Sequence, residues 1–143
     1  MLTGLDAGLV KCVRRAIATS SVDFTVFEGL RTLARQKALL AQGVTRTLDS
    51  YHMTGHAADL VPWIAGRAQW QAPACIQVAI AMREAALHFG VDVTWGSVWD
   101  RPLSTLDPAQ LVHEIELYVA RYSKTHGAQA RPLIDYPHFQ VPR

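Results

Sequence analysis

Charge is scarce in this chain: 18% of its 143 residues are charged and the formal balance is only +2, which excludes the dense basic stripes of a nucleic-acid binder. An excess of that size reads first as an ordinary solvated surface, and it is compatible with approach to an anionic cell wall. Cysteine is scarcer still. Cys12 and Cys75 lie among apolar residues in helix-patterned segments, without zinc-ligand partners beside them. Buried free thiols are expected, with a disulfide between them left open. No run approaches the ~20 apolar residues needed to cross a bilayer, and residues 1–10 have no basic region leading into an apolar one. Neither a membrane span nor a signal peptide is expected. Repeats, low-complexity linkers and a second module are also lacking, so residues 1–143 are expected to form one domain.

What is present is a globular chain, half hydrophobic and long enough for a real core. Residues 6–19 pattern as an amphipathic helix capped by Asp6, with Leu9, Val10, Val13, Ala16 and Ile17 on its apolar side. Residues 23–28 alternate as a strand that ends at Gly29. A helix over 32–42 stops at Gly43, and 44–51 read as a polar loop. Residues 57–61 read as a strand ending at Pro62, followed by a loop or short hairpin over 64–72. A helix from Pro73 to Phe89 stops at Gly90, its apolar face marked by Ile76, Ala79, Ile80, Arg83, Ala86 and Leu87. Residues 91–95 read as a strand. Asp107-Pro108 is expected to open a last helix reaching Lys124, with Leu111, Ile115, Tyr118, Val119 and Tyr122 inward.

Chemistry concentrates in two stretches, Ser50-Tyr-His52-Met-Thr-Gly55-His56-Ala-Ala-Asp59 and Asp135-Tyr-Pro137-His138-Phe139. Neutral imidazole nitrogen and carboxylate oxygen suit zinc, and a catalytic zinc takes three protein ligands and keeps one position for water. His52 and Asp59 would stand two turns apart on a helix, too far for one ion. Gly55 instead predicts a turn after His52 and a returning strand that brings the two together. His56, at i+4 from His52, lacks helical flanks and is read as a local hydrogen-bonding or rim residue. Asp59, in an apolar strand, would be costly to bury unpaired, and a metal, an arginine or a cluster of backbone amides would each compensate. Pro137 breaks the last strand and permits a turn near Asp135 and His138. His88, His113 and His126 are read as structural or surface residues.

The ordered set Gly29-Leu-Arg31-Thr, Gln36, Gly43, Ser50-x-His52-x-x-Gly55-x-Ala57-x-Asp59, Trp95-Gly96-x-x-Trp99 and Asp135-x-x-His138-Phe139 resembles the peptidoglycan-cleaving zinc peptidases of the D-alanyl-D-alanine carboxypeptidase and dipeptidase clan. It is most similar to phage endolysins of the L-alanyl-D-glutamate peptidase type. The resemblance covers roughly residues 24–140. It implies an α+β fold with a small, mainly antiparallel sheet flanked by helices, like the hedgehog and DD-peptidase domains. It implies Zn²⁺ on His52, Asp59 and His138, with Asp135 as the proton-transfer group and Arg31 steadying the scissile carbonyl oxygen. Ser50 and Trp95 become expected substrate contacts.

The implied activity is hydrolysis of an amide bond in the peptidoglycan stem peptide, most specifically L-Ala–D-Glu, in host cell lysis. A monomer is expected, in the host cytoplasm, reaching the wall by a holin-type route, with no nucleic acid and no membrane insertion. A D-alanyl-D-alanine carboxypeptidase or dipeptidase is the nearer alternative. A catalytically silent zinc-containing binding domain on the same fold, as in hedgehog, is the further one; the presence of both Arg31 and Asp135 argues against it.

Overall fold

The computed structural model describes residues 2–143. Its elements run α1 (Ala7–Thr19), β1 (Phe24–Glu28), α2 (Leu33–Ala41), β2 (Ala57–Ile64), β3 (Arg67–Ala68), α3 (Ala72–Phe89), β4 (Thr94–Trp95), α4 (Leu111–His126) and β5 (His138–Gln140). Short 3-10 turns occupy Tyr51–Thr54 and Leu103–Thr105. The sheet is antiparallel throughout, in the order β1-β2-β5-β4, with β3 folded back on β2. This is the expected α+β architecture.

Two neighbouring rows of side chains cross the sheet and divide its labour. In one, Ala58 pairs with Phe139 and Phe139 with Trp95, and all three are fully buried. They join Leu9, Cys12 and Ala16 of α1 and Val78, Met82 and Ala85 of α3 in a single apolar core. In the other, Glu28 stands opposite Asp59, and Asp59 opposite His138. Successive residues of a strand point to opposite faces, so this polar row looks away from the core. A bulge between Val26 and Glu28 leaves Phe27 without a partner across β2 and turns Glu28 toward Asp59.

Several elements depart from the sequence reading. β2 does not end at Pro62 but continues to Ile64. The proline carbonyl accepts from the Gln69 amide, so its missing N–H would point to that same flank, where no bond to β1 is lost. The β2–β3 connection is a hairpin whose two turn residues, Ala65 and Gly66, both have positive φ (52° and 74°). The strand expected over 91–95 shrinks to Thr94–Trp95, because the Val91 amide is spent on Ala86 O at the end of α3. The last helix starts at Leu111, not at Asp107. Asp107 instead closes a local turn, accepting from the Ala109 amide (2.9 Å) and donating its own N–H to Glu114 (3.1 Å).

The face expected for α3 is borne out in part, and the buried face is broader. Ala79 and Ala86 are buried as expected, and Ile76 and Ile80 pack partly against the core, but Cys75, Val78, Met82 and Ala85 are buried as well, whereas Leu87 is half exposed. The helix is rich in alanine and apolar on nearly all sides, so periodicity does not select one face. The cysteines are buried free thiols, and burial pushes both up to about 11.

Candidate metal centre and catalytic cleft

The site is assembled from a turn and two strands. Ser50 caps the Tyr51–Thr54 turn by accepting from the His52 amide (3.3 Å). Gly55 ends it with φ +75°, and a Cβ there would overlap the carbonyl oxygen of Gly4. Only glycine allows this turn, and the turn sends the chain back as β2. His52 and Asp59 thereby meet, as the spacing predicted, with His52 Nε2 3.4 Å from Asp59 Oδ1. β5 supplies His138, whose Nδ1 lies 3.2 Å from the same oxygen. One ligand atom from each of the three residues lies within 4.8 Å of the other two.

The outer nitrogens decide what the inner ones offer. His52 Nδ1 is 2.9 Å from the carbonyl oxygen of Gly29. A carbonyl only accepts, so Nδ1 carries the hydrogen and Nε2 presents a lone pair to the site. His138 Nε2 is 2.9 Å from Gln140 Oε1, which leaves Nδ1 facing Asp59. Two imidazole lone pairs and a carboxylate then converge with no donor between them. Such a group holds together only around a cation, either a proton or a metal ion. Two nitrogens and one oxygen, each imidazole fixed from behind by a carbonyl, are a donor set that zinc fits. Burial opposes the charge on Asp59, but the two imidazoles outweigh it and hold the carboxyl well below its usual range.

Asp135 stands apart from this cluster. It lines the same cleft, of about 890 Å³. It is half-buried, and burial first, then the negative charge of Asp59, raise its pKa above the ordinary aspartate value. A carboxyl with raised proton affinity beside a metal-ligand cluster is suited to carry protons. Its position is set by a close approach. The Asp135 amide donates to Gly96 O and the Gly96 amide to His138 O, both at 2.8 Å. A Cβ on Gly96 would overlap the Asp135 carbonyl oxygen and come within 2.9 Å of His138 Cβ. Gly96→Ala is therefore expected to push Asp135 and His138 outward together, lowering stability by about 1–3 kcal/mol. Thermal melting should show that loss, and turnover should fall further than the melting shift explains.

Arg31 faces the cleft from the β1–α2 turn with its side chain nearly buried. Glu28 takes its Nε and Nη2 (2.9 and 2.6 Å), and Gln36 takes Nη1 (2.8 Å). Three of its five N–H groups are thus engaged, leaving two for a ligand. Gln36 is fully buried and ties this arginine to the 44–50 loop through Thr47 O (2.7 Å). Glu28, Gln36 and Gln140 carry parts of the site that sequence reasoning did not assign. A signal existed for Gln140, because residues i and i+2 of a strand share a face.

Trp95 is a correction. Expected at the substrate, it is fully buried and donates its indole N–H to Tyr136 O (2.8 Å). Its partner Phe139 is one residue from His138 and so faces the core side. Trp99 takes the cleft position instead, its ring 5.2 Å from that of His138 and its N–H on Leu133 O. Ser50 lines the cleft as well as holding the loop. His56 bonds Thr54 Oγ1 (2.9 Å) and stands outside the cluster of His52, Asp59 and His138. His88, His113 and His126 are exposed.

Comparison with known proteins agrees with this architecture. The profile of the phage L-alanyl-D-glutamate peptidases matches residues 1–113. The chain belongs to that family. The L-alanyl-D-glutamate peptidase of Escherichia phage T5 is 34% identical over 96 residues, spanning 64% of this chain and 70% of that protein. The crystal structure of the Serratia marcescens L-Ala D-Glu endopeptidase ChiX is similar, with TM-score 0.72 and 35% identity over 99% of this chain and 83% of that one. The family profile stops before Asp135 and His138, whereas the structural likeness extends through them.

Proposed function

We propose that this peptidoglycan peptidase is a zinc endopeptidase that hydrolyses the L-Ala–D-Glu bond of the stem peptide during phage lysis. The observation that carries the reading is the convergence of His52, Asp59 and His138 on one point, with both imidazoles fixed from behind and Asp135 beside them. The peptidase activity named for the relatives supports it.

His52 Nε2, His138 Nδ1 and an Asp59 oxygen would hold the ion. When bound, zinc supplies a Lewis acid and an acidified water. Asp135 accepts the proton of the attacking water and returns it to the leaving amine. The two unengaged N–H groups of Arg31 meet negative charge as it develops on the carbonyl oxygen, an effect worth about 3 kcal/mol per donor in other enzymes. Glu28 and Gln36 keep that guanidinium in place. Ser50 holds the turn that delivers His52, and Trp99 forms the wall behind His138.

No described helix is long and apolar enough to cross a membrane. Access to the wall through a holin lesion, action as a monomer and a single catalytic domain over residues 1–143 complete the proposal.

Mass spectrometry of muropeptides digested by the zinc-loaded protein tests the reading. Glycan fragments ending in L-Ala, with release of the remaining stem, are expected. Loss of terminal D-Ala alone would assign a carboxypeptidase. An unchanged digest, insensitive to chelator, would leave only a binding domain.

A further inference from the structure

We infer that Arg131 is a substrate-binding residue whose open edge takes the free α-carboxylate of the residue that follows the cut. The cleft contains several carboxylates, and most already have cationic partners. Glu28 holds Arg31, Asp49 holds Arg143 at 2.6 Å, and Asp59 faces the two imidazoles. Asp135 has the proton-transfer role. Arg131 lines the same cleft, and among the described residues no carboxylate lies within salt-bridge distance of it.

Its guanidinium is nevertheless held. Nη1 donates to Ala128 O and Ala130 O, both at 3.1 Å, and fixes the plane from one side. Among the described residues, Nε and Nη2 have no protein acceptor. That edge has a defined use elsewhere in this molecule. Arg15 grips Glu84 with Nε and Nη2, Arg31 grips Glu28 with them, and Arg121 grips Asp100 with them. A planar fork with its far side pinned and its chelating edge free is prepared for a carboxylate. The substrate provides one. In the stem peptide, D-glutamate is linked onward through its γ-carboxyl, so its α-carboxylate is free and next to the bond cleaved. Arg131 also lies in the segment that leads to Asp135, and the same run of chain thus provides both proton transfer and carboxylate recognition.

This inference rests on the peptidase reading above, and its test separates the two. Two soluble muropeptides are compared, one with the free α-carboxylate and one with the corresponding carboxamide. The wild-type enzyme is expected to favour the acid by about 10- to 100-fold in kcat/KM, the range of a charge-assisted pair. In Arg131→Gln that preference should collapse to within about threefold. The loss should fall on the acid, mainly through KM, with zinc content as in wild type. Arg131→Lys should recover only part of it, because an ammonium cannot chelate side-on. An equal fall on both substrates, or no fall on either, overturns the assignment of Arg131 and leaves the peptidase reading intact. A wild-type enzyme that releases no new amine from either substrate strikes down the peptidase reading and this inference with it.

Discussion

Asp135→Asn is expected to lower turnover by about 10²- to 10⁴-fold while leaving the metal in place. The substitution keeps the size and most of the shape of the side chain and removes only its capacity to take up a proton. The main-chain bonds that hold the residue, from its amide to Gly96 O and from the His138 amide to its own carbonyl, do not involve the side chain and survive. The variant should therefore fold, and His138 should remain where it is. Metal content per chain and turnover on muropeptides are the two measurements. A matched fall in both would make Asp135 a ligand, and normal turnover would remove it from the mechanism.

The pH profile gives a second, independent reading of the same residue. A base must be ionised to work, so the rate falls as pH drops through its pKa. Burial raises the Asp135 carboxyl, and the Asp59 charge raises it further, against the opposing pull of His138, His52 and Arg31. A bound cation offsets the Asp59 charge but not the burial. The acid limb of kcat/KM is accordingly expected above the ordinary aspartate range near 4, and it should vanish in Asp135→Asn. An acid limb unchanged in that variant would belong to another group.

How much of this could be read from residue order alone depends on how local the cause is. Gly55 announces the turn between His52 and Asp59, because few other residues tolerate the left-handed backbone it adopts. Asp6 and Gly90 mark helix ends for equally local reasons, and both act as expected. What was not legible is set by register. Trp95 and Trp99 flank the same glycine turn, and nothing in their order says which one faces the cleft. The pairing of Trp95 with Phe139 decides it, and that pairing exists only once β4 and β5 are side by side. The full face of α3 was hidden for a different reason, since an alanine-rich helix whose polar side is only Gln77, Glu84 and His88 does not mark where its broad apolar side ends. Asp107-Pro108 carries a strong helix-start signal, yet Glu114 draws the Asp107 amide into a turn and delays the helix. The partners of the arginines were out of reach as well, because Gln36, though part of the ordered set, and Glu28 meet Arg31 only through the folded side-chain geometry.

Asp59→Asn is expected to abolish turnover together with metal binding and yet to cost the metal-free protein little stability. The reason lies in the same convergence that makes the site. Without a metal, the lone pairs of His52 and His138 and the Asp59 carboxylate are tolerable only when a proton takes the cation's place. Burial works against protonation of His138, but the Asp59 carboxylate beside it prevails and raises its pKa. An asparagine brings its own N–H donors, so an imidazole can be satisfied without any ion. The variant should thus melt within a few degrees of the chelator-treated wild type, and zinc, expected to stabilise the wild-type protein by mass action, should stabilise the variant hardly at all. The wild-type protein should also bind zinc more weakly as pH falls through the raised pKa of His138, because Nδ1 must lose its proton before it can serve as a ligand. Titration of zinc at several pH values, with melting curves of both proteins in chelator and in zinc, measures all of this. Full zinc stabilisation of Asp59→Asn would mean that the ion sits elsewhere. A large loss of stability in chelator would mean that Asp59 serves the fold rather than the metal.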